Sequence, residues 1–166
     1  KEMPAIQATR QGYKKCGKDP SRYRPSSEAL CRRLLRGLSL YQIDTLVDLI
    51  NLASINSGHS IGGFDCDKIQ GDRLVLGIGK AGEPYEGIGR GELNIEGMPV
   101  YRDEVGGIGT PTSDNERTKI TEGTTHLLAI MNGYSGSDGL EDSVNYMIDL
   151  LKEFACACDV ELVYFK

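Results

Sequence analysis

The sequence is poor in the features that would fix a function at once. It holds only two histidines, His59 and His126, so a Cys/His zinc set cannot be completed. Its five cysteines, Cys16, Cys31, Cys66, Cys156 and Cys158, contain one close pair, Cys156-Ala157-Cys158, and no second. No metal site and no cofactor is therefore expected. An odd cysteine count without a paired framework suits a reducing compartment, so the cytoplasm is the expected location. No apolar run approaches membrane length and no signal-peptide pattern is visible, so no membrane partner is expected. Lys1 rather than Met stands first, and an N-terminal piece is expected to precede it. The Gly-Lys-Ser/Thr ending of a P-loop is absent, and Gly87-x-Gly89-x-Gly91 runs into the non-helical Leu93-Asn94-Ile95. The glycine clusters at Gly77/Gly79, Gly87–Gly91 and Gly107/Gly109 thus read as tight turns between short strands. No nucleophile–His–acid triad can be assembled, because His126 sits inside a strand-like run and no cysteine has a visible partner.

What is present describes one domain, 1–166, with 39% apolar and 26% charged residues. Its charge is uneven. Residues 1–37 carry ten Lys/Arg against three Asp/Glu, whereas residues 38–166 carry nine against twenty-one. The acidic balance argues against blanket nucleic-acid binding and no DNA partner is expected, but the basic head can meet phosphates locally.

The head is expected to be helical. Residues 1–16 place Ile6 and Tyr13 inward, and Ser26 or Ser27 caps a second helix ending at Gly37, with Leu30 and Leu34 inward. Arg32, Arg33 and Arg36 share another face of it; the ordinary account is a solvated face, the functional one a grip on RNA phosphate. A third helix through Val47 and Ile50 is stopped by Gly58 in a left-handed cap. Short strands follow: Arg73–Ile78, pieces between Leu93 and Tyr101, and Thr125–Met131. Asp138 with Glu141 suggests a capping box for a last helix with Leu140, Val144, Met147 and Leu151 on one stripe. Val160–Phe165 is expected to close the chain as a strand. Strands and helices do not alternate regularly, so the pattern gives an α+β fold with helices on one side of packed sheets.

Two stretches invite chemistry. Ser57–Asp67 is a glycine-rich turn after the third helix, carrying His59, and Asn51 stands on that helix. Thr110–Thr118 is the densest polar segment, with Thr110, Ser113, Arg117 and Thr118 able to hold an ester or a ribose. A surface turn held by local side-chain bonds accounts for it equally well.

Val47-Asp48…Asn51 followed by Phe64-Asp65-Cys66-Asp67-Lys68-Ile69 resembles the editing domain, formed by the third and fourth modules, of the phenylalanyl-tRNA synthetase β chain. Pro20-Ser21-Arg22-Tyr23-Arg24-Pro25-Ser26 resembles the leading segment of stand-alone proteins built on that domain. The resemblance runs from about Pro20 to Tyr134 and implies a three-layer β–β–α sandwich that recognises the aminoacylated end of a tRNA. It also implies hydrolysis of a wrongly attached amino acid in trans. Under it, Asn51 and His59 are the candidate catalytic residues. Gly62, Gly63, Gly107, Thr110, Ser113, Arg117 and Thr118 are the substrate-binding candidates, and Arg32, Arg33 and Arg36 the RNA-binding ones. Backbone N–H groups of Gly62, Gly63 or Gly107 would serve an oxyanion, and the tRNA ribose would help to activate water. Two positions depart from the resembled pocket: Gly62 stands at its histidine and Ile130 near its glutamate. The alternative is a non-catalytic module on the same fold that binds a small ligand or a protein. An aminoacylation module does not fit in 166 residues, so no ligase activity is expected.

Overall fold

Helices form where the spacing places them. The computed structural model describes residues 2–165. Helix α1 (Pro4–Lys15) opens with proline in its first turn, where an N–H is not needed, and buries Ala5, Ile6, Thr9 and Tyr13. Helix α2 spans Ser26–Leu35. Helix α3 (Thr45–Ser57) is capped by the Asp44 carboxylate, which accepts from the Leu46 N–H at 2.9 Å. Gly58, at φ 77°, closes α3 in the left-handed conformation expected of it. Strands β1 (Ile61–Asp65), β2 (Val75–Ile78), β3 (Glu86–Gly87), β4 (Gly91–Glu92), β5 (Pro99–Arg102), β6 (Gly107–Gly109) and β7 (Leu127–Met131) follow, and then helix α4 (Leu140–Ala155). They pair antiparallel as β1–β7, as β2–β5–β6, and as the small hairpin β3–β4.

Period-two alternation in β1 and β7 builds the layers. Ile61, Leu127, Ala129 and Met131 face Leu49, Ile50 and Ala53 of α3 and Met147 and Leu151 of α4. Phe64, Leu128 and Ile130 face the other way, onto Tyr101 of β5 and Ile108 of β6. The β1–β7 ribbon is thus the middle layer between helices and a second sheet. The fold is α+β, and this packing order is that of the expected β–β–α sandwich.

Four local expectations are corrected. Pro25, not Ser26 or Ser27, precedes the first turn of α2, and the hydroxyl of the buried Ser27 instead meets Ser60 Oγ at 3.2 Å. Leu34 is exposed, because what α2 buries is Ser27 and Glu28 rather than a leucine stripe. Helix α4 starts after Gly139 in the left-handed conformation with no side-chain cap, so the Asp138/Glu141 box does not form. Val160–Phe165 is exposed and pairs with no strand among the described residues: alternation gave it strand character, but no sheet edge receives it.

Glu28 is fully buried and collects Arg10 and Arg32, each at 2.8 Å, joining α1 to α2. Burial alone would raise its pKa, but the two arginine bonds outweigh it and hold the carboxyl below the usual range. We expect Glu28→Gln to cost about 1–3 kcal/mol in urea unfolding at neutral pH. The deficit should shrink as pH falls from the unfolded glutamate value, near ~4.3, through the lower folded one. A constant deficit across that window would show that charge is not the cause.

Candidate functional site

Gly62 and Ile130 lie directly opposite one another across β1 and β7. These are the two positions at which the resembled domain carries its histidine and glutamate. Here Ile130 belongs to an apolar cluster with Phe64, Tyr101 and Ile108, and Gly62 lies under the Phe64 ring. A Cβ on Gly62 would stand 2.7 Å from Phe64 Cζ, and one on Gly109 would stand 2.4 Å from the same atom. The missing side chains therefore admit the Phe64 ring. Gly63 likewise admits Ile50 and Ile120, and Gly107 admits the ring of Tyr85. Close backbone approach, expected at these glycines for a ligand, is used for internal packing.

The Thr110–Asp114 loop is built by its own hydroxyls. Thr110 Oγ1 donates to the Ser113 carbonyl at 3.0 Å and accepts from the Thr112 and Ser113 N–H groups. Tyr85 donates to the same carbonyl at 2.7 Å, and Tyr13 shares a 2.8 Å bond with Thr112 Oγ1. Asp114 then turns its carboxyl onto β1. Oδ2 accepts the Gly63 N–H at 3.1 Å, and Oδ1 lies where a Cβ on Gly62 or Gly109 would come within about 3 Å. The Gly63 amide, a candidate oxyanion donor, is thereby committed to Asp114. Burial pushes the Asp114 carboxyl up to about 7, against the single opposing bond from Gly63.

Arg117 forms a bidentate pair with Asp103, with bonds of 2.9 and 2.8 Å. Thr118 is fully buried, and its hydroxyl has no hydrogen-bond partner. The Phe-Asp-x-Asp-Lys-Ile motif is local architecture. Asp65 caps the short 3-10 turn Cys66–Lys68 through the Asp67 N–H and accepts from Thr124 Oγ1 at 2.9 Å. Lys68 reaches the Lys119 carbonyl at 2.7 Å.

Residues 8–155 match the family model of the B3/4 domain. The chain belongs to that family. The B3/4 domain is the one found in the phenylalanyl-tRNA synthetase β chain. No curated protein matches this chain.

Other candidate residues lie apart in this B3/4 domain. Asn51 is half-buried on α3. His59 is buried, neither ring nitrogen has a hydrogen-bond partner, and burial lowers its pKa. It lies on the wall of a cavity of about 340 Å³, to which no other candidate residue contributes. A second depression, of about 470 Å³, lies beside Tyr85, Glu86, Glu92 and Asn115. Of the arginines, Arg32 is engaged by Glu28 and Arg33 donates to Ser39 O and Tyr41 Oη, whereas Arg36 is exposed at the end of α2. Asp114 was not among the candidates. Nothing in the polar run Asp114-Asn115-Glu116 marks which carboxylate is desolvated; the glycines at 62 and 109 that make room for it stand far off in sequence.

Proposed function

We propose that this B3/4 domain is a stand-alone, editing-like module that recognises the aminoacylated end of a tRNA and holds it without the pocket chemistry implied by the synthetase resemblance. The observation that carries this is the Gly62–Ile130 pair under the Phe64 ring. It puts no side chain at the place of the resembled histidine and an apolar one near that of the glutamate, with the Phe64 ring in the space between. The basic head supplies the electrostatic part, with Arg36 its freest cation on α2.

The test is a panel of correctly and wrongly charged tRNAs, read for binding and for release of the amino acid. Binding without release is expected, together with a preference for charged over uncharged tRNA. Arg36→Glu should weaken binding across the panel and flatten its salt dependence. Absence of tRNA binding at low salt overturns the reading, and release above the buffer rate overturns its non-catalytic part.

Trans hydrolysis is the second reading, and Asp114 is what favours it. A carboxyl titrating near 7 beside a backbone N–H is poised as a general base for water. Under it, Asp114→Asn abolishes release while binding persists; release that survives this substitution removes the reading.

A further inference from the structure

Residues 160–165, which follow α4, are unpaired, and Val160, Leu162, Val163, Tyr164 and Phe165 are each between 45% and 67% exposed. The run Val-Glu-Leu-Val-Tyr-Phe is apolar on both of its faces, the composition of a strand covered on two sides rather than one. In the two larger sheets, the outer sides of β1 and β6 are already taken. The Asp114 carboxyl accepts the Gly63 N–H, and the Asn115 N–H donates to the Ile108 carbonyl at 2.8 Å. That leaves β2 and β7 as edges. On β2 the Gly79 N–H donates to the Met98 carbonyl, so alternation turns the backbone of Leu76 and Ile78 outward. The Arg102 guanidinium reaches past Gly77 and donates to the Ile78 carbonyl at 2.9 Å, which blunts that edge.

The edge of β7 is bare. Its neighbours Asn132 and His126 bond to Ser60 and Cys66, so alternation turns the backbone of Leu127, Ala129 and Met131 away from β1. Among the described residues β7 pairs with β1 alone. All five residues of β1 are buried, whereas of β7 only Ile130 is. The sequence Leu-Leu-Ala-Ile-Met carries no charge, proline or bulge of the kind that protects an open edge. It lies in the middle layer, where a strand apolar on both faces belongs. The chain's own segment is poorly placed to take it. Ala155 and Ala157 pack in the helix-side cluster, and only Cys158 and Asp159 separate them from Val160. Three residues reach about 10 Å at full stretch, roughly the spacing between packed layers. Asp159, at φ 50°, is left-handed without being glycine and shortens that reach; Cys156, at φ 53°, is the same.

We propose that residues 160–165 of each chain add to the β7 edge of a second copy, in a reciprocal twofold exchange. Each segment becomes the third strand of the other copy's middle layer. A short hinge under strain is the setting in which strands exchange between copies. Period-two alternation sends Val160, Leu162 and Tyr164 to one face of the added strand and Val163 and Phe165 to the other. Tyr164 and Phe165 hold out roughly 100 Å² each, and the three aliphatic residues bring each segment to on the order of 400 Å². Two segments and the surface they cover then come to on the order of 1,600 Å², the size of a stable interface.

The whole chain is measured by light scattering over a range of concentrations and by amide hydrogen exchange. Reducing buffer keeps the exposed Cys156 and Cys158 from linking copies. A dimer is expected, with the amides of Ala129 and Met131 protected. The double substitution Leu162→Pro/Val163→Pro removes a ladder N–H whichever of the two residues faces β7. Both residues are exposed in the single chain, so the rest of the fold is left intact. The variant should run at half the native mass and lose protection at Ala129 and Met131, while Gly62 and Phe64, which bond across to β7, stay protected. A native monomer overturns the proposal; one with Ala129 and Met131 protected assigns the edge to the chain's own segment instead. A dimer that survives the double substitution, or whose Ala129 and Met131 amides exchange freely, overturns it too, because its interface then lies elsewhere.

Discussion

Asp114→Asn should raise the melting temperature at about pH 8 and abolish the fall in stability expected of the native chain as pH rises from about 4 through about 7. The native carboxyl titrates near 7 because it is desolvated against β1 and receives one backbone N–H, from Gly63. In the unfolded chain an aspartate titrates near ~3.9. The folded state therefore keeps a proton that the unfolded state has released, and stability falls as pH rises from about 4 through about 7. Above that window the fold carries a charge for which only a single amide compensates. The gap from 3.8 to about 7 corresponds to on the order of 4 kcal/mol for a wholly desolvated group, and to less here because Asp114 keeps some contact with water. Asparagine keeps an acceptor for Gly63 N–H and cannot ionise. In a chain of this size the gain at about pH 8 should be roughly 5–10 °C. An unchanged pH slope in the variant would show that Asp114 is not the titrating group. The result also bears on function. A gain in stability in the variant would mean that Asp114 is kept for a reason other than folding.

The helices and the α+β class were legible because their signals are local, whereas the three-layer order came from the resemblance alone. Helical spacing around Val47 and Ile50, a glycine suited to the cap at 58, and strand-like apolar runs are properties of neighbouring residues, and tertiary packing left them in place. The α4 stripe held at Val144, Met147 and Leu151 for the same reason. Signals that need a partner failed. Val160–Phe165 alternates as a strand does, but alternation says nothing about a free sheet edge to pair with. Leu34 had helical spacing, but the face of α2 that turned inward was claimed by Glu28 and its arginines. The site divided along the same line. Gly62 and Ile130 were recognised as departures from the resembled pocket, and they do lie opposite each other. That Phe64 fills the space between β1 and β6 could not be read, because Gly109 and Phe64 meet only in three dimensions. His59 and Asp114, three and fifty-two positions from Gly62, face different surroundings: His59 lies on the wall of the cavity at the start of α1 and α4, Asp114 against β1.

Arg117 was assigned to substrate by its place in a polar loop, and Asp103→Ala tests the other account of it. Asp103 has a fully buried carboxylate that accepts two bonds from Arg117 and the N–H groups of Gln70, Val105 and Gly106. Burial alone would raise this carboxyl, but Arg117 and the backbone donors outweigh it and hold it at about 2. Removing it strands a guanidinium and three amides together, so a loss of about 3–5 kcal/mol is expected in urea unfolding at neutral pH. The acid limb provides an independent readout. Because the folded pKa is depressed, the contribution is complete above the unfolded value near ~3.9 and disappears as pH falls through about 2. Native and Asp103→Ala proteins should thus converge in stability by about 2.5 kcal/mol across that interval. Arg117→Ala completes a double-mutant cycle. If Arg117 is structural, the two substitutions couple by about 1–3 kcal/mol, and Arg117→Ala weakens ligand binding only as far as it unfolds the chain. If Arg117 serves a substrate, coupling is near zero and binding falls while the melting transition holds. The bidentate geometry favours the first outcome. It ties the 3-10 turn at Glu116–Thr118 to the end of β5 and leaves the guanidinium little reason to leave Asp103 for a ligand.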